Sequence, residues 1–257
     1  MTKILSVLDL FSGAGGVHMA MERTGTFRTI AFSEINKHAA ATLKRRFPSI
    51  PNLGDITKIC AFPAADIVSG GFPCQDLSVA GTGAGLSGAR SGLWFRMLCA
   101  IQQTNPRGVL IENVAALKDR GLDVVLHGLS EAGYDAEWYT LPASAIGAPH
   151  KRERIYIIAY RKCAGGQGLV EAFRPCESRQ WNWCGQADLQ SIADSPFVPG
   201  TGWPRPLLRR VDDGMADRAH RLTQIGNGVV VPVVFQIAQL LYCRVMERWW
   251  GDDTVWR

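Results

Sequence analysis

The sequence lacks the features that mark membrane, secreted and repeat proteins. It has no apolar run of membrane-spanning length and no internal repeat. Its start leads directly into a strand-like segment, so we expect no signal peptide and a cytoplasmic location. The seven cysteines are odd in number and irregularly spaced, which favours reduced thiols over a disulfide framework.

Common metal and phosphate motifs are missing as well. Cys163, Cys176 and Cys184 do not form a paired C-x-x-C, so we expect no metal site. The glycine-rich turn at residues 13–16 has neither the G-x-G-x-x-G spacing of dinucleotide-binding folds nor the Gly-Lys-Ser/Thr of a P-loop. Phosphate binding is therefore not indicated at this turn.

The charge of the chain is weakly basic and unevenly distributed. The net charge is +5: residues 1–150 carry 13 Lys and Arg against 12 Asp and Glu, and residues 151–257 carry 15 against 11. The surplus in the second part permits a polyanionic partner such as nucleic acid, although a surplus of this size is also common on ordinary protein surfaces.

Short apolar runs alternate with amphipathic segments, which predicts an α/β fold of one sizeable core in 257 residues. The predicted strands are 4–10, 29–34, 65–69, 108–111, 134–141 and 155–160, and the clearest predicted helices are 36–47, 93–103, 122–132 and 231–249. The pattern breaks down after residue 160. We divide the chain into a core at 1–160, an irregular region at 161–205, and a C-terminal segment at 206–257 that packs back on the core.

Residues with useful chemistry follow several of the predicted strands. Cys74 lies in a glycine-rich turn, Glu34 ends the second strand, and Glu112 follows the strand at 108–111. Open α/β sheets bind ligands at this edge, and a poorly solvated glutamate can hold a proton near neutral pH. Taken singly, a cysteine such as Cys74 is more often a small buried side chain, and Glu34 is equally a solvated surface residue.

Two further segments could complete a site. Residues 81–92 are glycine-rich and without apolar periodicity, which is typical either of a loop that closes over a substrate or of a plain connection. Arg152 and Arg154 are two positions apart, so they share one face if the chain is extended there.

Taken together, these segments resemble the DNA cytosine-C5 methyltransferase family, and most closely its small phage and prophage members. The resemblance covers most of the chain outside about 161–205. It is carried by residues 9–16 (DLFSGAGG), Glu34, 54–56 (GDI), 70–75 (GGFPCQ) with Ser78, 112–114 (ENV), 152–154 (RER) and 226–227 (GN).

The resemblance implies a doubly wound, seven-stranded, Rossmann-like sheet and S-adenosylmethionine as the cofactor. The cofactor-binding residues it implies are Phe11, Ser12, Gly13, Gly15, Gly16, Glu34, Ile35, Asp55, Ile56 and Asn227. Glu34 is expected to bind the ribose hydroxyls and Asp55 the adenine amino group.

The resemblance also implies a reaction on a flipped-out cytosine. Cys74 is expected to attack C6, Glu112 to hydrogen-bond N3, Arg154 to contact O2 and Arg152 to support the surrounding loop. Gln75 and Ser78 are expected to contact DNA, and 161–205 to form a target-recognition region. The implied partners are double-stranded DNA and, for some relatives, a cognate restriction endonuclease; we expect a monomer encoded by a bacterium or phage.

Two positions depart from the family pattern. Ile35 stands where an aromatic residue is common, and His150 stands where the family usually has glutamine. Two other functions stay open: methylation of cytosine in tRNA, and DNA binding without catalysis. The Gly-Gly-Phe before Pro73 and the variable insertion favour DNA over tRNA, and the presence of Cys74, Glu112 and Arg154 favours catalysis.

Overall fold

The computed structural model describes residues 3–73, 92–146, 151–161 and 228–249. In these ranges the strands are β1 (Leu5–Leu10), β2 (Phe27–Ser33), β3 (Ile67–Gly70), β4 (Gly108–Val114), β5 (Tyr134–Pro142) and β6 (Glu153–Arg161). The α-helices are α1 (Gly16–Glu22), α2 (Lys37–Arg46), α3 (Gly92–Thr104), α4 (Leu122–Glu131) and α5 (Val231–Trp249).

The described strands form one sheet in the order β2-β1-β3-β4-β6-β5. All neighbours pair in parallel except β6, which runs antiparallel to both β4 and β5. This order, with helices on both faces, confirms the doubly wound α/β class. The described residues supply six strands rather than the expected seven, and one isolated parallel bridge between Phe32 and Asn52 extends the sheet beyond β2.

Two apolar layers cover the sheet because its central strands carry hydrophobic side chains on both faces. One layer packs α3 and α4 against the sheet, with Trp94, Met97 and Val125 fully buried. The other packs α1 and α5 against the opposite face, through residues such as Met21 and Leu241. The second layer attaches α5 to the sheet, although α5 is distant in sequence from the strands it covers.

Local signals account for the ends of α2. Asn36 caps its start, where its side chain accepts hydrogen bonds from the backbone N–H groups of His38 and Ala39. Lys44, Arg45 and Arg46 lie in the last turn, where positive charge is favourable. None of the helices in the described ranges has the length and apolar character needed to cross a membrane.

Candidate active site

The parallel strands end at a common edge, and the turn after β1 is the first part of the site found there. Phe11 has φ of 54°, and Gly13 and Gly15 also have positive φ. The Ser12 hydroxyl donates a 2.6 Å hydrogen bond to the carbonyl of Asp9, which tightens the turn. A non-glycine residue in the left-handed region is strained, and such strain is concentrated at binding sites.

Glu34 spans the space between this turn and the end of β2. Its Oε2 accepts a 2.8 Å hydrogen bond from Gly13 N–H, and its Oε1 accepts one of 2.7 Å from Asn36 N–H. The two carboxylate oxygens have about four lone-pair directions in total, so Glu34 can still accept hydrogen bonds from ligand hydroxyls. A carboxylate acceptor in this position suits the hydroxyl groups of a ribose.

Asn52 links Glu34 to the segment before Asp55, a role that the sequence did not predict. Its Oδ1 accepts hydrogen bonds from the N–H groups of Glu34 (2.9 Å) and Gly54 (3.1 Å), and its Nδ2 donates to the carbonyl of Glu34 (3.0 Å). The isolated bridge to Phe32 sets Asn52 in place. These hydrogen bonds connect Glu34, which is expected to bind the ribose, to the segment that leads into Asp55, which is expected to bind adenine.

Asp55 caps a short 3-10 turn, Ile56–Lys58. Its Oδ1 accepts hydrogen bonds from the Thr57 hydroxyl and the Thr57 N–H, and these bonds hold the pKa of Asp55 below its usual value. Ile35 is 68% exposed and presents an apolar surface, whereas Ile56 is 5% exposed and packs in the core. Any contact of Ile56 with a cofactor would thus fall mainly to its backbone.

The turn after β3 is fixed to β4. Asn113 donates a 2.9 Å hydrogen bond from Nδ2 to the carbonyl of Phe72, and both residues are buried. A side chain at Gly71 would bring its Cβ within 3.1 Å of Glu112 Oε2. The absence of that side chain lets the Glu112 carboxyl lie directly against the turn that leads into residue 74.

Glu112 is a buried acid next to two arginines. It is 8% exposed, and Arg154 Nε lies 3.2 Å from its Oε1. Burial raises the pKa of Glu112, and the positive charges of Arg154 and Arg152 partly offset this rise. Arg152 donates from Nη2 to the carbonyl of Gly228, which ties the start of β6 to the segment before α5.

Asp9 is a second buried acid, located near the end of β1. It is fully buried, and its Oδ1 accepts a 2.8 Å hydrogen bond from the Ser69 hydroxyl. Burial raises the pKa of Asp9 to about 7. Gly16 begins α1, and a Cβ there would come within 2.6 Å of the Val229 side chain. The start of α1 is thus packed tightly against the segment before α5.

The structure brings together Glu112, Arg152 and Arg154 in one cluster. It also joins Glu34 by hydrogen bonds to the turn at 11–16 and, through Asn52, to Gly54, the residue before Asp55. Other predicted site residues lie outside the described ranges: Cys74, Gln75, Ser78, His150 and Asn227. Most of the predicted target-recognition region (residues 162–205) and of the loop at 81–92 also lies outside them.

Known proteins resemble this chain in sequence. The family model for C-5 cytosine-specific DNA methylases matches residues 5–179. The Type II methyltransferase M.DsaV of Dactylococcopsis salina is 35% identical over 165 residues, which are 62% of this chain and 46% of that protein. M.CviJI of Paramecium bursaria Chlorella virus IL3A is 36% identical over 206 residues, which are 76% of this chain and 54% of that protein.

Solved structures share the fold. An E. coli prophage-encoded protein described as a DNA modification methyltransferase has a TM-score of 0.51 and 28% identity over 61% of this chain and 47% of its own. The S. pombe Dnmt2 methyltransferase has a TM-score of 0.53 over 64% of this chain and 52% of its own. The chain spans about half the length of the relatives it matches. Since the family model covers well over half of its residues, the chain belongs to the C-5 cytosine-specific DNA methylase family.

Proposed function

We propose that the protein transfers a methyl group from S-adenosylmethionine to C5 of a cytosine flipped out of duplex DNA. The observation that carries this proposal is the contact of Glu112 with Arg154 beside the turn that leads into Cys74. The ion pair is largely buried, and the turn is tied to β4 by Asn113. A base entering this edge would meet an acid and a cation next to the turn that Cys74 follows in the sequence.

The chemistry follows from the low nucleophilicity of cytosine C5. The Cys74 thiolate adds to C6, and Glu112 in its protonated form donates a hydrogen bond to N3 as negative charge develops there. Burial, which raises the pKa of Glu112, favours that form. C5 becomes enamine-like and takes the methyl group. Loss of the C5 proton to a base then expels Cys74 and restores the C5–C6 double bond.

The two arginines have separate roles in the proposal. Arg154 contacts O2 of the base and stabilises negative charge on the ring. Arg152 supports the surrounding loop, which is consistent with its hydrogen bond to the carbonyl of Gly228. Gln75 and Ser78, which follow Cys74, contact the DNA.

The residues around the turn before α1 would hold the cofactor. When bound, S-adenosylmethionine supplies an electrophilic methyl group. The turn of Phe11, Ser12, Gly13, Gly15 and Gly16 holds its methionine and adenosine parts, and Asn227 closes the pocket. Glu34 accepts hydrogen bonds from the ribose hydroxyls, Asp55 accepts one from the adenine amino group, and Ile35 with the Ile56 backbone borders the ring.

The remaining parts of the proposal concern DNA and partners. The C6 atom is inaccessible in a stacked duplex, so the base must leave the helix, and residues 81–92 form the lid over it. Residues 161–205 read the target sequence. The names of the Type II relatives support a modification role, with a cognate endonuclease as a partner.

Incorporation of labelled methyl groups into DNA tests the reaction. The wild type should label duplex DNA, and Cys74→Ala should reduce labelling to background. Cys243→Ala is the matched control because Cys243 is an exposed thiol on α5, and it should label DNA as the wild type does. Labelling that survives Cys74→Ala would exclude the mechanism, and labelling of tRNA without labelling of duplex DNA would exclude the substrate.

A trapping experiment tests the covalent step. DNA in which cytosine carries fluorine at C5 has no C5 proton to lose, so the protein–DNA adduct should accumulate. We expect a denaturant-resistant complex with wild type and cofactor, and none with Cys74→Ala. A stable adduct formed by Cys74→Ala would show that another residue is the nucleophile.

A further inference from the structure

Tyr156 carries a buried hydroxyl group next to Glu112. It lies in β6, is 1% exposed, and is directly opposite Glu112 in the antiparallel register with β4. Opposed residues in such a pair project from the same face of the sheet with closely spaced Cβ atoms. Among the described residues, no group forms a hydrogen bond with the Tyr156 hydroxyl.

Glu112 has an acceptor that matches this donor. Arg154 is close to Glu112 Oε1, but no group in the described ranges donates to this oxygen with hydrogen-bond geometry. The other oxygen, Oε2, faces Gly71 and the turn that leads into Cys74. The two carboxyl oxygens of Glu112 therefore have different surroundings: Oε1 lies near Arg154, and Oε2 lies near Gly71.

Resting on the proposed function, we infer that Tyr156 is a positioning residue whose hydroxyl donates a hydrogen bond to Glu112 Oε1 when a base occupies the site. Arg154 then leaves the carboxyl group to contact the base. Tyr156 takes its place at Oε1, and Oε2 keeps the proton that is directed to N3.

The electrostatics around Tyr156 suit a neutral donor. Burial and the nearby Glu112 raise the pKa of the phenol, so the hydroxyl keeps its proton throughout the working pH range. Arg154 and Arg152 act on the pKa values of both Tyr156 and Glu112, which places the two side chains in one electrostatic environment. An unpaired buried hydroxyl is costly, and a partner gained during the reaction removes that cost.

Tyr156→Phe keeps the ring and removes only the hydroxyl. We expect kcat for DNA methylation to fall about tenfold, with KM for DNA unchanged. Because the active form has protonated Glu112, activity declines as pH rises through the pKa of this acid. Loss of a bond that favours the carboxylate raises that pKa, so the alkaline limb of the kcat profile should move up by roughly one pH unit.

Two further variants separate positioning from folding. Tyr134→Phe removes another buried hydroxyl, which donates to the carbonyl of Pro106, and it should leave the alkaline limb unchanged. Replacement of Tyr156 by 3,5-difluorotyrosine keeps the shape but makes the phenol a stronger donor, so the limb should move down. The inference is wrong if the alkaline limb of the kcat profile is the same in both Tyr156 variants as in wild type.

An infrared titration of the Glu112 carboxyl, referenced to Glu112→Gln, reads its pKa in the binary complex with DNA without turnover. Wild type that binds DNA without methylating it would contradict the proposed function. If Tyr156→Phe still raises the pKa of Glu112 in that complex, the hydrogen bond from Tyr156 to Glu112 is supported all the same. If wild type methylates DNA and neither readout responds to the Tyr156 variants, the inference alone fails.

Discussion

Asn113 joins the end of β4 to the turn after β3 by donating a 2.9 Å hydrogen bond to the carbonyl of Phe72. Glu112 immediately precedes Asn113, and the proposed nucleophile Cys74 lies two residues after Phe72. One buried hydrogen bond therefore connects the two segments that carry the proposed acid and nucleophile.

Asn113→Asp should impair catalysis and lower stability. The aspartate keeps the oxygen that accepts from Val114 N–H but loses the donor to Phe72. We expect kcat to fall at least about tenfold and stability to fall by roughly 1–3 kcal/mol, the usual cost of leaving a buried group unpaired. Methyl transfer assays and urea unfolding measure the two effects. An unchanged kcat would show that this bond does not position the nucleophile.

Gly71→Ala should move the Glu112 side chain without a large loss of stability. Its Cβ would lie 3.0 Å from the Glu112 carbonyl oxygen and 3.1 Å from Oε2, closer than ordinary contacts. We expect a reduced kcat and a thermal midpoint near that of wild type. Gly70→Ala provides the contrast, because its Cβ would lie 2.7 Å from the carbonyl oxygen of Leu10 in β1 and should lower the thermal midpoint. The prediction is wrong if Gly71→Ala is fully active.

Glu34→Gln should weaken cofactor binding specifically. The amide removes the charge and one of the acceptors that hold Gly13 N–H and Asn36 N–H. Hydrogen bonds to charged groups contribute about 1.5–3 kcal/mol, so Kd for S-adenosylmethionine should rise roughly 10-fold to 100-fold in calorimetric titration. Glu22→Gln is the control, since Glu22 accepts from Thr29 N–H on β2 outside the pocket. Equal affinities of Glu34→Gln and wild type for S-adenosylmethionine would show that Glu34 does not bind the cofactor.

The sequence predicted the elements better than their pairing. The helix at 231–249 and the described strands occur where the hydrophobic pattern predicted them, because local periodicity determines them. The reversed direction of β6 brings Arg154 to Glu112, and this depends on long-range pairing. The described residues supply six of the expected seven strands, and beyond β2 they contribute only the isolated Phe32–Asn52 bridge.

The same distinction applies to the candidate site. Glu34 and Glu112 follow strand patterns, so their location at the sheet edge was predictable from spacing. Asn52 and Tyr156 were not predicted to take part. The role of Asn52 comes from three hydrogen bonds to residues brought close by folding, and that of Tyr156 from its register opposite Glu112.

Asp9 should make stability depend on pH in a direction unusual for an aspartate. Its pKa is raised from 3.8 to about 7 by burial, so the folded state keeps a proton that the unfolded state loses between these values. Stability contributed by this group is complete below pH 3.8 and declines as pH rises to about 7. The full effect is on the order of 4 kcal/mol.

Asp9→Asn should therefore gain stability relative to wild type as pH rises from about 4 to 7, in urea unfolding measured across that range. The substitution also changes the packing around residue 9, but that change in unfolding free energy is the same at every pH. It leaves the pH dependence of the stability difference unchanged. Asp66→Asn is the matched control: burial opposes ionisation of Asp66, but hydrogen bonds from Ser6 and the hydrogen bond and charge of Arg107 together outweigh burial, and the pKa is lowered. That variant should lose stability relative to wild type as pH rises through the acid range. Parallel curves for Asp9→Asn and wild type would mean that Asp9 titrates alike in the folded and unfolded states.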